Sequence, residues 1–346
     1  ALPIWVDMIT FLNENYSYFS MNHHDKIRGL FVDSRQRVWI ADKSKRIEVY
    51  DREHRYIGNL NEAGDLVQDR QVIFGADIYC FFEDEARLWM GSRENGIYVA
   101  APEAEKFRIF HFKHDKKDKR SLSSDAIYAF GKDVNGHIWI GTYGGGLNVV
   151  DGIFPDLHFI HSDNGLDLYP KDECRKVRSI YCTSTGIMLV GTTDGLLSFS
   201  AKTDEYRKIQ FNLNHCETKR ANSLSNNDVQ MIQCMDNGNI FAITYGGGLN
   251  ELSPMGLHSY QCKSFTQKNG LISDIIYSMH EDKQGNLWLV TGGGLVKFVA
   301  SAEQIQYSSE HIAFNMHFSE GVGATDGKQI FFGTNRGLFY FTPENI

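Results

Sequence analysis

The sequence predicts an all-β fold, a seven-bladed β-propeller with four antiparallel strands per blade, on three observations. First, Ile127 to Asp151 reads IYAFGKDVNGHIWIGTYGGGLNVVD: an apolar run, a turn at Asp133 to Gly136, a strand around Trp139, a Gly-rich turn and a third strand from Leu147 to Val150. Second, the same pattern recurs from Ile78, Val177, Val229 and Ile276, with weaker copies at Ile27 to Asp51 and from Gly327. Third, the large central residues of these copies, Trp39, Trp89, Trp139, Leu189, Phe241, Trp288 and Phe331, are 50, 50, 50, 52, 47 and 43 residues apart. A period of about 40–50 residues carrying four short strands is the signature of propeller blades.

The repeat fills the chain, so residues 1–346 read as one domain with a core in seven inter-blade layers. At the start, residues 2–12 (LPIWVDMITFL) are strand-like and belong to no repeat, resembling the fourth strands FRIFHF (Phe107 to Phe112) and YRKIQF (Tyr206 to Phe211). The last unit stops after its third strand. Residues 4–11 are therefore expected to supply its outer strand, closing the ring and removing an edge open to association.

Within each unit strand A is apolar and innermost, strand B bears the large central residue, and C and D follow outward. The central residue should lie between blades, where an aromatic buries roughly 150–250 Å². Two positions on stand Gly91, Gly141, Gly191 and Gly333, small residues that suggest close backbone approach. A second glycine before strand C, as at Gly146, falls where a hairpin turn needs positive φ. The linkers between blades, such as Ser121 to Asp125 and Asn222 to Asn227, have turn composition.

Composition narrows the function. A formal charge of −8 argues against a nucleic-acid partner, and the basic stretch Lys113 to Arg120 is short, interrupted by Asp115 and Asp118 and read as a solvated loop. No apolar run approaches the roughly 18 residues of a membrane helix. The opening ALPIWVDMIT lacks a basic start and a long apolar core, so no signal peptide is expected in it. The six cysteines show no metal or redox spacing and are expected as buried free thiols; Cys182 and Cys234 take the same position in adjacent blades, too far apart to bridge.

Candidate chemistry is sparse. The turns Asp133 to Gly136 and Asp282 to Gly285 lack the remaining donors of a calcium loop and read as hairpins. The glycine triplets at 144–146, 246–248 and 292–294 precede strands, not the helix a phosphate loop requires. His23, His24, His111, His114 and His161 fall in different blades and loops without ligand spacing. No catalytic residue, metal ligand or cofactor is expected.

A propeller brings its B–C turns and D–A loops to one face, around the mouth of the central channel. There the B–C turns vary where the repeat does not, offering Arg93, Tyr143, Tyr245, Asn335 and Arg336 as candidate ligand-binding residues. Such a rim suits a polyhydroxylated ligand, the tyrosines by stacking and the Arg and Asn by hydrogen bonds.

The unit SLSSDAIYAFGKDVNGHIWIGTYGGGLNVVD resembles the two-component regulator propeller repeat of bacterial hybrid two-component sensors, and six of the seven units follow it. The first departs, with Ala41 and Arg46 at glycine positions, and the fifth and sixth lack the glycine after strand B. The ending GTNRGLFYFTPENI is similar to a last blade that leads into an immunoglobulin-like domain. The resemblance implies an excised, non-enzymatic periplasmic sensor propeller, the membrane-proximal one of a pair, in a histidine-kinase system that responds to glycans. Its expected partners are an oligosaccharide, neighbouring sensor domains of the same chain and, as an open alternative, a second copy in a homodimer. The resemblance carries no binding motif onto these positions. A propeller enzyme, of polysaccharide lyase or lactonase type, and a protein-binding scaffold are the alternatives.

Overall fold

Runs of alternating apolar residues broken by Gly, Asn and Asp turns give short strands, and in a computed structural model these pair into seven sheets. The structure describes residues 16–20, 25–203, 205–217, 222–256, 259–309 and 316–346. Blade 1 holds Ile27–Val32, Val38–Asp42, Ile47–Tyr50, Tyr56–Leu60 and a short fifth strand, Leu66–Val67. Blade 2 holds Ile78–Asp84, Arg87–Ser92, Ile97–Glu103 and Lys106–Phe112; blade 3 holds Ile127–Lys132, Ile138–Thr142, Gly146–Ile153 and Asp156–His161. Blade 4 holds Val177–Cys182, Ile187–Thr192, Gly195–Ser200 and Asn212–Asn214; blade 5 holds Val229–Cys234, Ile240–Thr244, Gly248–Pro254 and Tyr260–Phe265. Blade 6 holds Ile276–Glu281, Asn286–Thr291, Gly294–Val299 and Gln304–Ser309. Blade 7 holds Phe318–Thr325, Ile330–Thr334 and Gly337–Phe341. Each A strand packs on the A strands either side of it, and the series closes from blade 7 back to blade 1.

The fourth strand of blade 7 is Tyr16–Ser20, antiparallel to Gly337–Phe341 with Tyr18 opposite Phe339. The ring is thus closed by an N-terminal strand, as predicted, but at residues 16–20; residues 4–11, which the sequence nominated, lie outside the described residues. A second correction concerns blade 4. Tyr206–Lys208, part of the YRKIQF stretch read as a strand, is a 3-10 turn, and the fourth strand is the three-residue Asn212–Asn214.

Seven clusters of buried side chains fill the seven inter-blade layers. Trp39 packs with Ile78 and Met90 of blade 2, Trp89 with Ile127 and Ile140 of blade 3, and Trp139 with Val177 and Met188 of blade 4. Leu189 joins Val229 and Ala242, Phe241 joins Met279 and Leu289, Trp288 joins Ile330 and Phe332, and Phe331 joins Val38 and Ile40 across the closure. Every central residue therefore enters the layer shared with the following blade. The small position beside it is forced by that packing, since a Cβ on Gly141 would lie 2.4 Å from Val177 Cγ1. Gly146, at φ +72°, makes the turn into strand C.

The Asp turns opposite the mouth latch the tryptophans. Asp133 Oδ1 accepts the Asn135 and His137 amides at 2.9 and 3.0 Å, while Oδ2 accepts Trp139 Nε1 at 2.9 Å. Asp33 does the same for Trp39 at 2.9 Å and Asp282 for Trp288 at 2.8 Å. In blade 2 the A–B hairpin is shorter, and Trp89 Nε1 is buried without a partner among the described residues. Among those residues no helix is long and apolar enough to cross a membrane.

Candidate functional site

Strand pairing fixes which loops share a face. Ile127, at the start of A, lies opposite Thr142 at the end of B, and His161, at the end of D, lies opposite Asn148 near the start of C. B–C turns and D–A loops therefore surround one mouth of the ring. Paired serine–asparagine bonds fix two of those loops. Asn148, fully buried, accepts the Ser123 amide at 2.9 Å and donates to Ser123 Oγ at 2.7 Å, and Asn250 repeats both bonds with Ser225 at 3.0 and 2.8 Å.

The A strands enter this face through a repeated irregularity. In blades 1 to 6 the A–B register slips after the first A residue, between Ile27 and Gly29, Ile78 and Cys80, Ile127 and Ala129, Val177 and Ser179, Val229 and Met231, and Ile276 and Ser278. A bulge takes one residue out of the ladder and re-aims its side chain. The residues so released are Arg28, Tyr79, Tyr128, Arg178, Gln230 and Tyr277, all half-buried, whereas the Ile or Val before each is buried in an inter-blade layer. In blades 1 to 4 adjacent residues thus have opposite tasks, the first packing and the second facing the mouth, whereas Tyr277 of blade 6 packs against the layer of Trp288.

Over blades 1 to 4 these side chains join into a belt. The Arg28 guanidinium lies 5.0 Å from the Tyr79 ring, Tyr79 is 5.0 Å from Tyr128, and Tyr128 stacks on Tyr143 of the B–C turn at 4.9 Å and 25°. Lys176 Nζ and the Arg178 guanidinium lie over the Tyr143 ring at 5.2 and 5.4 Å. Two carboxylates orient the arginines. Asp228 accepts Arg178 Nε at 3.1 Å and Nη2 at 3.0 Å, and Asp77 stands 3.7 Å from Arg28 Nε. At that longer separation both Arg28 Nε and Asp77 Oδ1 are closed to solvent and lack a hydrogen-bond partner among the described residues.

Burial sets the protonation of the belt. It pushes the Tyr128 phenol above its ordinary value, with Tyr79 adding to the effect. Burial also raises the Asp77 carboxyl, against the pull of Arg28 and Arg93. For Arg178 burial works against the charge, but the hydrogen bonds and charge of Asp228 outweigh it and hold the guanidinium above its usual range.

Of the five rim residues nominated from the sequence, the structure brings two to the belt. Tyr143 is part of it, and Arg93, exposed on the blade 2 turn, donates its backbone amide to the Asp77 carbonyl and acts by charge on Asp77 and Tyr128. Tyr245 stands 58 % exposed and adjoins the belt through its amide bond to the Asp228 carbonyl. Asn335 and Arg336 occupy the blade 7 turn on the same face without a described contact to the belt; Asn335 Oδ1 is buried and unpartnered among the described residues. The expected open face of Tyr143 is covered by Tyr128 and the two cations, so this ring offers chiefly its hydroxyl edge.

The bulge residues went unread in the sequence, although the recurring Ile-Tyr at Ile78-Tyr79, Ile127-Tyr128 and Ile276-Tyr277 was their signal. The histidines have structural surroundings: His111 Nε2 meets the Asn95 carbonyl at 2.6 Å, His114 Nδ1 meets the Leu122 carbonyl at 2.5 Å and His161 is buried at a turn, while His23 and His24 lie outside the described residues. All six cysteines are free, but only Cys174 and Cys262 are fully buried. Among the described residues no group of three or more His, Cys, Asp or Glu side chains is placed to hold a metal ion.

The molecule is thus a closed seven-bladed β-propeller with an aromatic and cationic belt on one mouth. Residues 121–144 and 270–293 match the family described as two component regulator propeller; each stretch runs from a D–A loop to a B–C turn, in blades 3 and 6. Among solved structures the chain is similar to the extracellular domain of a putative hybrid two component system from B. thetaiotaomicron, with 23% identity, TM-score 0.72 and coverage of 95% of this chain and 41% of that one. It therefore spans less than half of that protein's crystallised chain. Virginiamycin B lyase from Staphylococcus aureus is similar at 12% identity and TM-score 0.66 over 94% of this chain and 98% of the lyase. PorZ, a surface component of the type-IX secretion system of Porphyromonas gingivalis, is similar at 14% identity and TM-score 0.66 over 94% and 47%. The sequence matches no curated protein.

Proposed function

We propose that this propeller is the extracytoplasmic recognition part of a two-component sensor, placed in the periplasm, and that its belt-bearing mouth receives an oligosaccharide. The observation that carries the reading is the belt itself: three tyrosines contributed by two blades, flanked by arginines from two more, on the face where B–C turns and D–A loops converge. Phenol hydroxyls beside guanidinium groups supply the directional hydrogen bonds by which a hydroxyl-rich ligand is distinguished from water. Matches to the two component regulator propeller in two blades support the sensory setting. The lyase likeness is one of fold and supplies no residue to this site.

Calorimetric titration with a panel of neutral and acidic oligosaccharides tests the reading. The double change Tyr128→Ala and Tyr143→Ala should weaken binding by at least about 1 kcal/mol, the scale of an aromatic contact, in a protein that still melts cooperatively. Adding Tyr245→Ala measures whether the exposed blade 5 ring extends the surface. Unchanged affinity in the folded double variant would remove the site from this mouth, and release of cleaved product during titration would favour the enzymatic alternative.

A further inference from the structure

We propose that the ligand of this mouth is an acidic saccharide, whose carboxylate or sulfate groups are received by the cations at the two ends of the tyrosine row. The inference rests on the reading of this mouth as the recognition surface and adds the charge of what is recognised. Its basis is the balance of donors and acceptors. Arginine and lysine have only donors, and the Tyr128 hydroxyl, protonated at neutral pH like any phenol, adds a further donor. Two carboxylates near the belt are turned toward its arginines, while Glu94, exposed, stands 3.7 Å from Arg93. Both oxygens of Asp228 are taken by Arg178, and Asp77 faces Arg28. Glu320 of blade 7 is close enough to act on Arg178 by charge but makes no ion pair with it among the described residues. Lys176, exposed over Tyr143, has no carboxylate within ion-pair distance among those residues.

What the belt leaves to a ligand is therefore an excess of donors. A neutral sugar hydroxyl both gives and accepts, so each contact with such a surface leaves one of its own donors facing a cation. A carboxylate or sulfate ester only accepts, and charge-assisted bonds are shorter and stronger than neutral ones. The cations stand at opposite ends of a row of three rings with centroids 5.0 and 4.9 Å apart. That spacing matches anionic groups repeated along a chain better than one small anion. The protein as a whole carries −8, so the attraction is local to this mouth.

The test pairs each acidic probe with its neutralised form in calorimetric titrations of the whole propeller: tetragalacturonic acid against its carboxyl-reduced counterpart, and a chondroitin sulfate tetrasaccharide against its carboxyl-reduced, desulfated counterpart. At least one acidic probe should bind about tenfold more tightly than its partner, with the preference shrinking as salt is raised. A preference within the galacturonate pair shows that carboxylate suffices, since only the chondroitin probe carries sulfate. Lys176→Gln, an exposed change that leaves the core untouched, should erase most of the preference, and Arg28→Gln should act in the same direction. Equal binding of acidic and neutralised probes, still sensitive to Tyr128→Ala, overturns the inference and leaves the recognition reading standing. Acidic preference unaffected by Lys176→Gln, Arg28→Gln and Tyr128→Ala, or no binding by any of the four at millimolar concentration, overturns both.

Discussion

Trp139 illustrates how one residue serves two blades. Its ring fills the layer between blades 3 and 4, tilted at 57° against Phe199 at 4.9 Å, while its indole N–H reaches back to Asp133 at 2.9 Å. Trp139→Ala should cost roughly 3–5 kcal/mol, as expected for truncating a buried aromatic; a loss below about 1 kcal/mol in a urea melt would mean that the layer is misassigned. Asp133→Ala should cost about 1–3 kcal/mol, because it strands the indole and two turn amides. Titration is also readable at this scale. His280 packs against Phe332 at 5.8 Å, and burial pushes its pKa down to about 4 against a smaller opposing pull from the Gly323 backbone. The folded protein thus holds fewer protons than the unfolded chain between the ordinary value of 6.5 and about 4. Stability is full above the ordinary value and declines as pH falls through this window, at about 1.4 kcal/mol per unit. Between pH ~7 and ~5, His280→Gln should lose about 2 kcal/mol less than the wild type; equal losses in denaturant melts would contradict the assignment.

At the scale of elements, pattern alone reached the A, B and C strands because each couples a fixed turn to a buried layer, as Gly141 does against Val177 and Gly146 does at its positive φ. The outer strands carry less of that constraint. Those of blades 4 and 7 were misplaced for the same reason: several nearby stretches, YRKIQF or LPIWVDMITFL among them, have strand composition, and only pairing decides between them. The bulges were hidden differently. Ile127-Tyr128 reads as an ordinary start of an apolar strand, and nothing short of the slipped register reveals that Tyr128 faces the mouth instead of the next blade. Closure by Tyr16–Ser20 makes a direct prediction. Deleting residues 1–12 should leave the melting temperature within a few degrees, whereas deleting 1–20 should lower it for the whole ring by more than about 4 °C, a shift that corresponds to roughly 3 kcal/mol in a ring of this size. Thermal melts of the two truncations settle it, and equal melting temperatures would deny the strand its closing role.

For the molecule as a whole, the alternation of Ile or Val with a bulged residue separates layer packing from the proposed recognition surface within two adjacent positions of one strand. Ile127 is fully buried in the layer behind Trp89, and its neighbour Tyr128 is half-buried in the belt. Stability is collected around the full ring, since every layer has the same construction, but the belt chemistry is confined to blades 1 to 4; blade 5 offers Gln230 at the equivalent position. That asymmetry allows the two properties to be varied independently. Ile127→Ala should cost about 2–5 kcal/mol, as buried aliphatic truncations do, while the folded fraction keeps the saccharide affinity proposed for the mouth. Tyr128→Phe removes one hydroxyl and no packing area, so its effect on stability should stay within about 0.5 kcal/mol. Its affinity should nevertheless fall, by roughly the 0.5–1.5 kcal/mol of a hydrogen bond. Gln230→Arg should be tolerated within the same margin, because the bulge holds that side chain out of the layer. Denaturant melts read beside calorimetric titrations distinguish the two classes. If Tyr128→Phe destabilised the ring as Ile127→Ala does, or Gln230→Arg prevented folding, the bulged positions would belong to the core and the mouth would have to be rebuilt from the B–C turns alone.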